Sequence, residues 1–229
     1  MSSIAENIAV IRKNITAALQ GDDRAVLLVA ATKMNDASRI REAIEAGVDA
    51  CGENKVQEFL EKDAQGAYEN CAKHFIGHLQ RNKVNRIVGR VALIQSVDSA
   101  ELLSLIDRRA AALGIVQDVL IEISVAGETQ KSGIAPEDLP ALLAHAAACP
   151  AVRVRGLMCV PPIQTESGAN RPYFDAMRQL FVDNSSKKYD NISMDFLSMG
   201  MSADYREAVG ERANIVRDGS AIFGTRHYE

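Results

Sequence analysis

Eight short apolar segments recur along this chain, separated by stretches with helical periodicity, and that alternation constrains the fold more than any other feature. The apolar segments lie at 27–32, 50–52, 74–76, 93–97, 119–125, 152–157, 195–198 and 215–217. Candidate helices lie between them at 38–46, 54–62, 82–89, 100–113, 136–147, 172–183 and 203–209. Runs this short, apolar and bounded by polar residues read as strands buried on both faces, which is the character of a parallel sheet. Eight such strands with intervening helices imply a closed barrel. An open nucleotide-binding sheet normally has fewer strands and an early glycine fingerprint. Periodicity favours the barrel and leaves the open sheet as the alternative.

Several boundaries have local causes. Ile4, Ile8, Ile11, Ile15 and Leu19 repeat at helical spacing, so the chain opens on an amphipathic helix additional to the alternation. Gly47 and Gly114 stand where helices need a C-terminal stop. Pro136 suits the first turn of a helix, and Pro150 keeps that helix out of the next strand. Pro161, Pro162 and Gly168 mark the longest irregular stretch, read as a surface loop with a lid as the alternative. No internal repeat or second domain is visible, and residues 1–229 read as one domain.

With 229 residues, 47% of them hydrophobic, the chain can bury one large core without disulfide or metal support. A formal net charge of -4 gives no general attraction to nucleic acid or to an acidic membrane. Cys51, Cys71, Cys149 and Cys159 form no CxxC pair, as expected of free thiols in a reducing compartment. No apolar run is long enough to span a bilayer, and the N-terminus lacks the pattern of a secretory signal. The expectation is a cytoplasmic protein with no metal centre.

Chemistry-bearing residues collect just after the strands. Lys33 closes the run from Val26 to Thr32; a lysine there pairs with an acid, captures a carbonyl compound as an imine, or reaches from the strand end into water. Glu53 and Asn54 follow the second strand, and His78, Gln80 and Asn82 the third. Lys131 follows the fifth, Ser198 to Ser202 the seventh, and Arg217 to Ser220 the eighth. In a barrel these groups share the C-terminal face, where sites are built. Gly219 and Ser220 offer an anion site that Ser198, Met199 and Gly200 could complete from the neighbouring loop; the alternative is an ordinary turn with Met199 as a packing residue. Arg217, if it enters the same pocket, would keep a pyridine nitrogen unprotonated. The alternative is an ion network with Asp218.

The chain resembles the pyridoxal phosphate homeostasis protein family, related to the N-terminal barrel domain of alanine racemase. The resemblance runs over nearly the whole chain: LLVAATK at 27–33, CGENKVQE at 51–58, HFIGHLQRNK at 74–83 and SVD at 96–98. It continues with GETQKSG at 127–133, GLM at 156–158, LSMGMSADYREAV at 197–209 and VRDGSAIFGTR at 216–226. It implies a single TIM-type (β/α)8 barrel carrying pyridoxal 5'-phosphate as an imine on Lys33, with the ring nitrogen facing Arg217. The same resemblance assigns the phosphate to Ser198, Met199, Gly200, Gly219 and Ser220, and puts Asn54 at the border of the site. Asp218 stands where the family usually has an aliphatic residue, and period-two alternation turns it away from Arg217.

The function implied is binding, buffering and delivery of pyridoxal phosphate to dependent acceptor enzymes, in vitamin B6 and amino-acid homeostasis, without robust turnover. A two-base racemase needs a second acid/base group opposite the lysine, and the chain leaves no room after the barrel for the domain that supplies it in alanine racemases. Tyr205 and Tyr228 are the candidates to replace it and read as structural. The alternatives are a pyridoxal phosphate-dependent amino-acid racemase and a protein whose regulatory contacts respond to the cofactor. A barrel that closes its own sheet favours a monomer.

Overall fold

The computed structural model describes residues 3–127, 132–164, 166, 168–186 and 189–224. Lys131 and Tyr228 lie outside the described residues.

Eight parallel strands close into a barrel in sequential order: β1 (Leu27–Ala31), β2 (Ala50–Glu53), β3 (Ala72–Phe75), β4 (Leu93–Val97), β5 (Gln117–Glu122), β6 (Val152–Met158), β7 (Ile192–Ser198) and β8 (Ile215–Asp218). The closing seam pairs β1 with β8, Val29 lying opposite Arg217 and Ala30 opposite Asp218. The choice between barrel and open sheet is thereby settled for the barrel.

The helices that cover it are α2 (Ala37–Glu45), α3 (Val56–Ala64), α4 (Val84–Ile87), α5 (Ala100–Leu113), α6 (Leu139–Ala147), α7 (Arg171–Ser185), α8 (Tyr205–Gly210) and α9 (Ser220–Phe223). The additional N-terminal helix, α1 (Ile4–Leu19), buries Ile4, Ile8, Ile11 and Ile15. Ser3 and Glu6 cap it reciprocally, each side chain accepting the other's backbone N–H. Gly114 ends α5 in the left-handed conformation, as its place in the sequence predicts. The helix expected over 82–89 is instead a 3-10 turn, Arg81–Lys83, followed by the short α4. Pro136 likewise starts a 3-10 turn, and α6 proper begins at Leu139.

The strands alternate between two apolar environments. Val29, Ala50, Leu93, Leu120, Met158 and Ile215 form a compact cluster inside the barrel, joined by Leu27 and Phe196. Leu28, Cys51, Ile94, Val119, Leu157 and Val216 belong to the larger core between strands and helices. This division fixes which strand-end side chains enter the barrel and which face the helices. Among the described residues no helix is long and apolar enough to cross a membrane.

Candidate functional site

Lys33 lies just beyond β1 and continues the alternation of Leu27 and Val29, both of which line the interior. It is half-buried, and its amine has no hydrogen-bonding or ion-pairing partner among the described residues. The acid that would make it a structural ion pair is therefore missing from the described part of the molecule. Glu53, at the end of β2, faces the helices and pairs with Lys62 at 2.8 Å.

Arg217 sits on the interior alternation of β8, opposite Val29 of β1, and is 4% exposed. One of its terminal nitrogens, Nη2, donates to the Cys159 carbonyl at 2.8 Å and the other, Nη1, to the Ser198 hydroxyl. Ser198 in turn donates to Gln95 Oε1 at 2.7 Å, and the Gln95 amide meets His74 Nδ1 at 2.9 Å. Because a guanidinium only donates, the chain runs one way: Arg217 to Ser198 to Gln95 to His74. His74 then accepts at Nδ1, which fits the neutral ring, and burial pushes its pKa down to about 4. Glu122 joins this polar floor from β5; burial, reinforced by Asp98 and opposed by Arg217, pushes its carboxyl up to about 7. The interior is thus polar just below its C-terminal mouth and apolar beneath.

Asp218 takes the opposite face, as alternation requires. Its Oδ1 accepts from the Ser202 hydroxyl at 2.6 Å and from the Ala221 amide at 3.0 Å. Arg217 and Asp218 form no ion network with each other.

The loops after β7 and β8 present backbone donors. The amides of Gly200, Gly219 and Ser220 have no acceptor among the described residues. Gly200 adopts φ +92°, and a Cβ there would come within 2.6 Å of the Ala208 Cβ, so only glycine fits this turn. The Met199 amide is bonded to the Ile215 carbonyl at 3.1 Å, and its side chain is buried in the outer core. Ser198 is engaged with Gln95 and Arg217 through its hydroxyl. Asn54 borders the mouth after β2, with a buried Oδ1 that has no hydrogen-bond partner. Its backbone packs against Gly77, where a Cβ would come within 2.2 Å of the Asn54 carbonyl oxygen. His78 is more than half exposed and lies 3.2 Å from Asp98, and Gln80 and Asn82 are exposed at the rim.

The arrangement supplies an unpaired amine for a carbonyl carbon, free amides for an anion, a buried cation and an unsatisfied amide oxygen. That donor set fits a ligand with an aldehyde at one end and a phosphate at the other. Among the described residues no group of three His, Cys, Asp or Glu side chains is arranged to hold a metal ion. Gln95 and Glu122 are not singled out by the sequence, because an isolated polar residue within a strand reads only as a break in an apolar run, and Lys62 reads as an ordinary charged residue of a helix.

The family model described as alanine racemase, N-terminal domain, matches residues 1–227. The pyridoxal phosphate homeostasis protein of Aquifex aeolicus is 43% identical over 95% of this chain and 94% of its own length. That of Pseudomonas aeruginosa is 41% identical over all of this chain and 98% of its own. Among solved structures, PipY of Synechococcus elongatus with pyridoxal phosphate bound is similar at a TM-score of 0.84 and 32% identity, covering 97% of this chain and 100% of that one. An alanine racemase of Clostridium difficile shares the fold at a TM-score of 0.73 and 16% identity, with 98% of this chain matched to 58% of it.

Proposed function

The chain belongs to the pyridoxal phosphate homeostasis protein family, and from that premise we propose that it holds pyridoxal 5'-phosphate on Lys33 and buffers and delivers it without robust turnover of its own. The observation that carries the reading is the Lys33 amine, free of any described acidic partner on a barrel whose β8 brings in a buried Arg217. When bound, pyridoxal phosphate supplies an aldehyde that a lysine amine can capture and a ring that withdraws electrons when its nitrogen is protonated.

Each residue then has a physical task. Lys33 is the nucleophile, its amine free to add to a carbonyl carbon. Arg217, permanently cationic and held from below by Ser198 and Cys159, discourages protonation of a ring nitrogen beside it. Gly200, Gly219 and Ser220 offer their amides to the phosphate, with Ser198 and Met199 shaping the strand end behind them. Asn54 offers its unsatisfied oxygen at the border. The absence of turnover is supported by Tyr205, which is buried with its hydroxyl accepting from Asn14 Nδ2 at 2.9 Å and so is committed to packing α1 on α8. We read residues 1–229 as one cytoplasmic, monomeric binding domain, with pyridoxal phosphate-dependent enzymes as recipients and no role in nucleic-acid binding.

Spectral titration with pyridoxal phosphate, borohydride reduction and mass-spectrometric mapping test the assignment. An adduct on Lys33 is expected, and an adduct found only on other residues rejects it. Lys33→Ala abolishes covalent capture and retains weak binding through the anion pocket. Retention of α-deuterium by alanine and serine incubated with the loaded protein separates a carrier from a racemase.

A further inference from the structure

Lys62 on α3 is a buried ammonium, 8% exposed, with all three of its donors engaged. It donates to Glu53 Oε1 at 2.8 Å, to Glu58 Oε2 at 3.1 Å and to the backbone carbonyl of Thr32 at 2.8 Å. Glu58 Oε2 also accepts the backbone N–H of Met34 at 2.9 Å. The Thr32 hydroxyl donates to Glu53 Oε1 at 3.1 Å, and its amide to the Gly52 carbonyl at 2.9 Å. One ion cluster therefore grips the residue before Lys33 and the residue after it, while the Lys33 amine has no described partner.

Met34 makes the arrangement more demanding. It holds φ +61°, a left-handed conformation that a side chain with a Cβ seldom adopts. The Glu58 carboxylate, anchored by Lys62, is the acceptor that keeps its amide in that turn. A buried lysine between two carboxylates adds little stability over well-packed apolar side chains. What it adds is direction, because hydrogen bonds fix the two flanking residues where apolar contact would let them slide.

We propose that Lys62 is a positioning residue for Lys33: through Glu53 and Glu58 it locks the backbone on both sides of the capturing lysine, so that the amine meets the incoming aldehyde in one orientation. This rests on the reading that Lys33 captures the cofactor. In that capture the neutral amine, its proton already lost to solvent, adds to the aldehyde carbon. The carbonyl oxygen leaves as water and a carbon–nitrogen double bond replaces the carbon–oxygen one. No oxidant or reductant is involved. Lys62 touches none of the reacting atoms and acts on the orientation of the nucleophile alone.

The test compares the full chain with Lys62→Met and Glu58→Ala, using pyridoxal 5'-phosphate and pyridoxine 5'-phosphate. The second compound has the same ring and phosphate but an alcohol in place of the aldehyde. The imine absorbance is expected to develop roughly 10- to 100-fold more slowly in both variants, with affinity for pyridoxine phosphate unchanged. An unchanged imine rate in either folded variant overturns the proposal, whatever happens to the melting temperature. If Lys62→Met does not fold, Glu58→Ala decides alone, since its partly exposed carboxylate can be removed without stranding a buried charge. Failure of the underlying reading appears separately, as wild-type protein that yields no borohydride adduct on Lys33.

Discussion

Arg217 donates a hydrogen bond to the Ser198 hydroxyl across the β7–β8 seam, and that contact orients every hydrogen bond beyond it. Ser198 must pass its own hydrogen to Gln95, and Gln95 must turn its amide towards His74. Ser198→Ala removes the middle of this chain and leaves a buried guanidinium N–H and the Gln95 carbonyl unsatisfied. A loss of roughly 1–3 kcal/mol is expected in denaturant unfolding, with weakened pyridoxal phosphate binding because Arg217 is then held by the Cys159 carbonyl alone.

The same floor holds two titrating groups with mirrored behaviour. Burial lowers His74 from 6.5 to about 4, so the stability it contributes is present above its unfolded value and is lost as pH falls towards 4. Burial raises Glu122 from 4.5 to about 7, so its contribution is present below 4.5 and is lost as pH rises through 7. Each effect amounts to roughly 3 kcal/mol at most, and over the shared window they oppose one another. Glu122→Gln, which mimics the protonated acid, should gain stability relative to wild type on going from about pH 5 to about pH 7. Urea midpoints of the two proteins at those values check it; a constant difference would mean that Glu122 is ionised throughout.

The barrel was legible in the sequence because its inward and outward faces are both apolar, so each strand appears as an unbroken run such as Leu27 to Ala31. The placement of Lys33 and Arg217 followed from the same runs, since both stand at their C-terminal ends. Glu53 shows where that reasoning stops. Proximity to a strand end put it with the site, whereas alternation turns it outward to Lys62. Gln95 meets Ser198 only when the sheet closes, and no local spacing encodes a contact between β4 and β7. The helix expected over 82–89 differs for a local reason, because Arg81–Lys83 tightens into a 3-10 turn and α4 spans only Val84–Ile87.

Thiol chemistry should single out Cys71. Its Sγ and that of Cys51 lie 3.7 Å apart and share a hydrogen bond that pushes the half-buried Cys71 down and the buried Cys51 up. Burial also pushes Cys149 up, and Cys159 up to about 12. Iodoacetamide in limiting amount should therefore alkylate Cys71 ahead of the other three. Peptide mapping reads the order, and first labelling at Cys159 would show that the barrel opens before Cys71 reacts.

Gly200 offers the most direct separation of fold from binding. Its φ of +92° is unfavourable for any residue with a Cβ, and the added carbon in Gly200→Ala would press on the Ala208 Cβ and, at 2.9 Å, on the Tyr205 Cα. Relief requires α8 to move away from the strand end, and α8 packs on α1 through the hydrogen bond between Asn14 and Tyr205. A cost of roughly 1–3 kcal/mol in stability is expected from strain and overpacking together. In the proposed assignment the amide of the same residue is one of three offered to the phosphate, so displacement of the loop should also lower the affinity for pyridoxal phosphate. The Lys33 adduct should still form at saturating ligand, because the lysine is carried by β1 and its neighbours Thr32 and Met34 are tied to α3, away from this loop. If Gly200→Ala loses stability but binds pyridoxal phosphate and pyridoxine phosphate as tightly as wild type, the phosphate is anchored elsewhere, and the loop after β7 serves only to close the barrel.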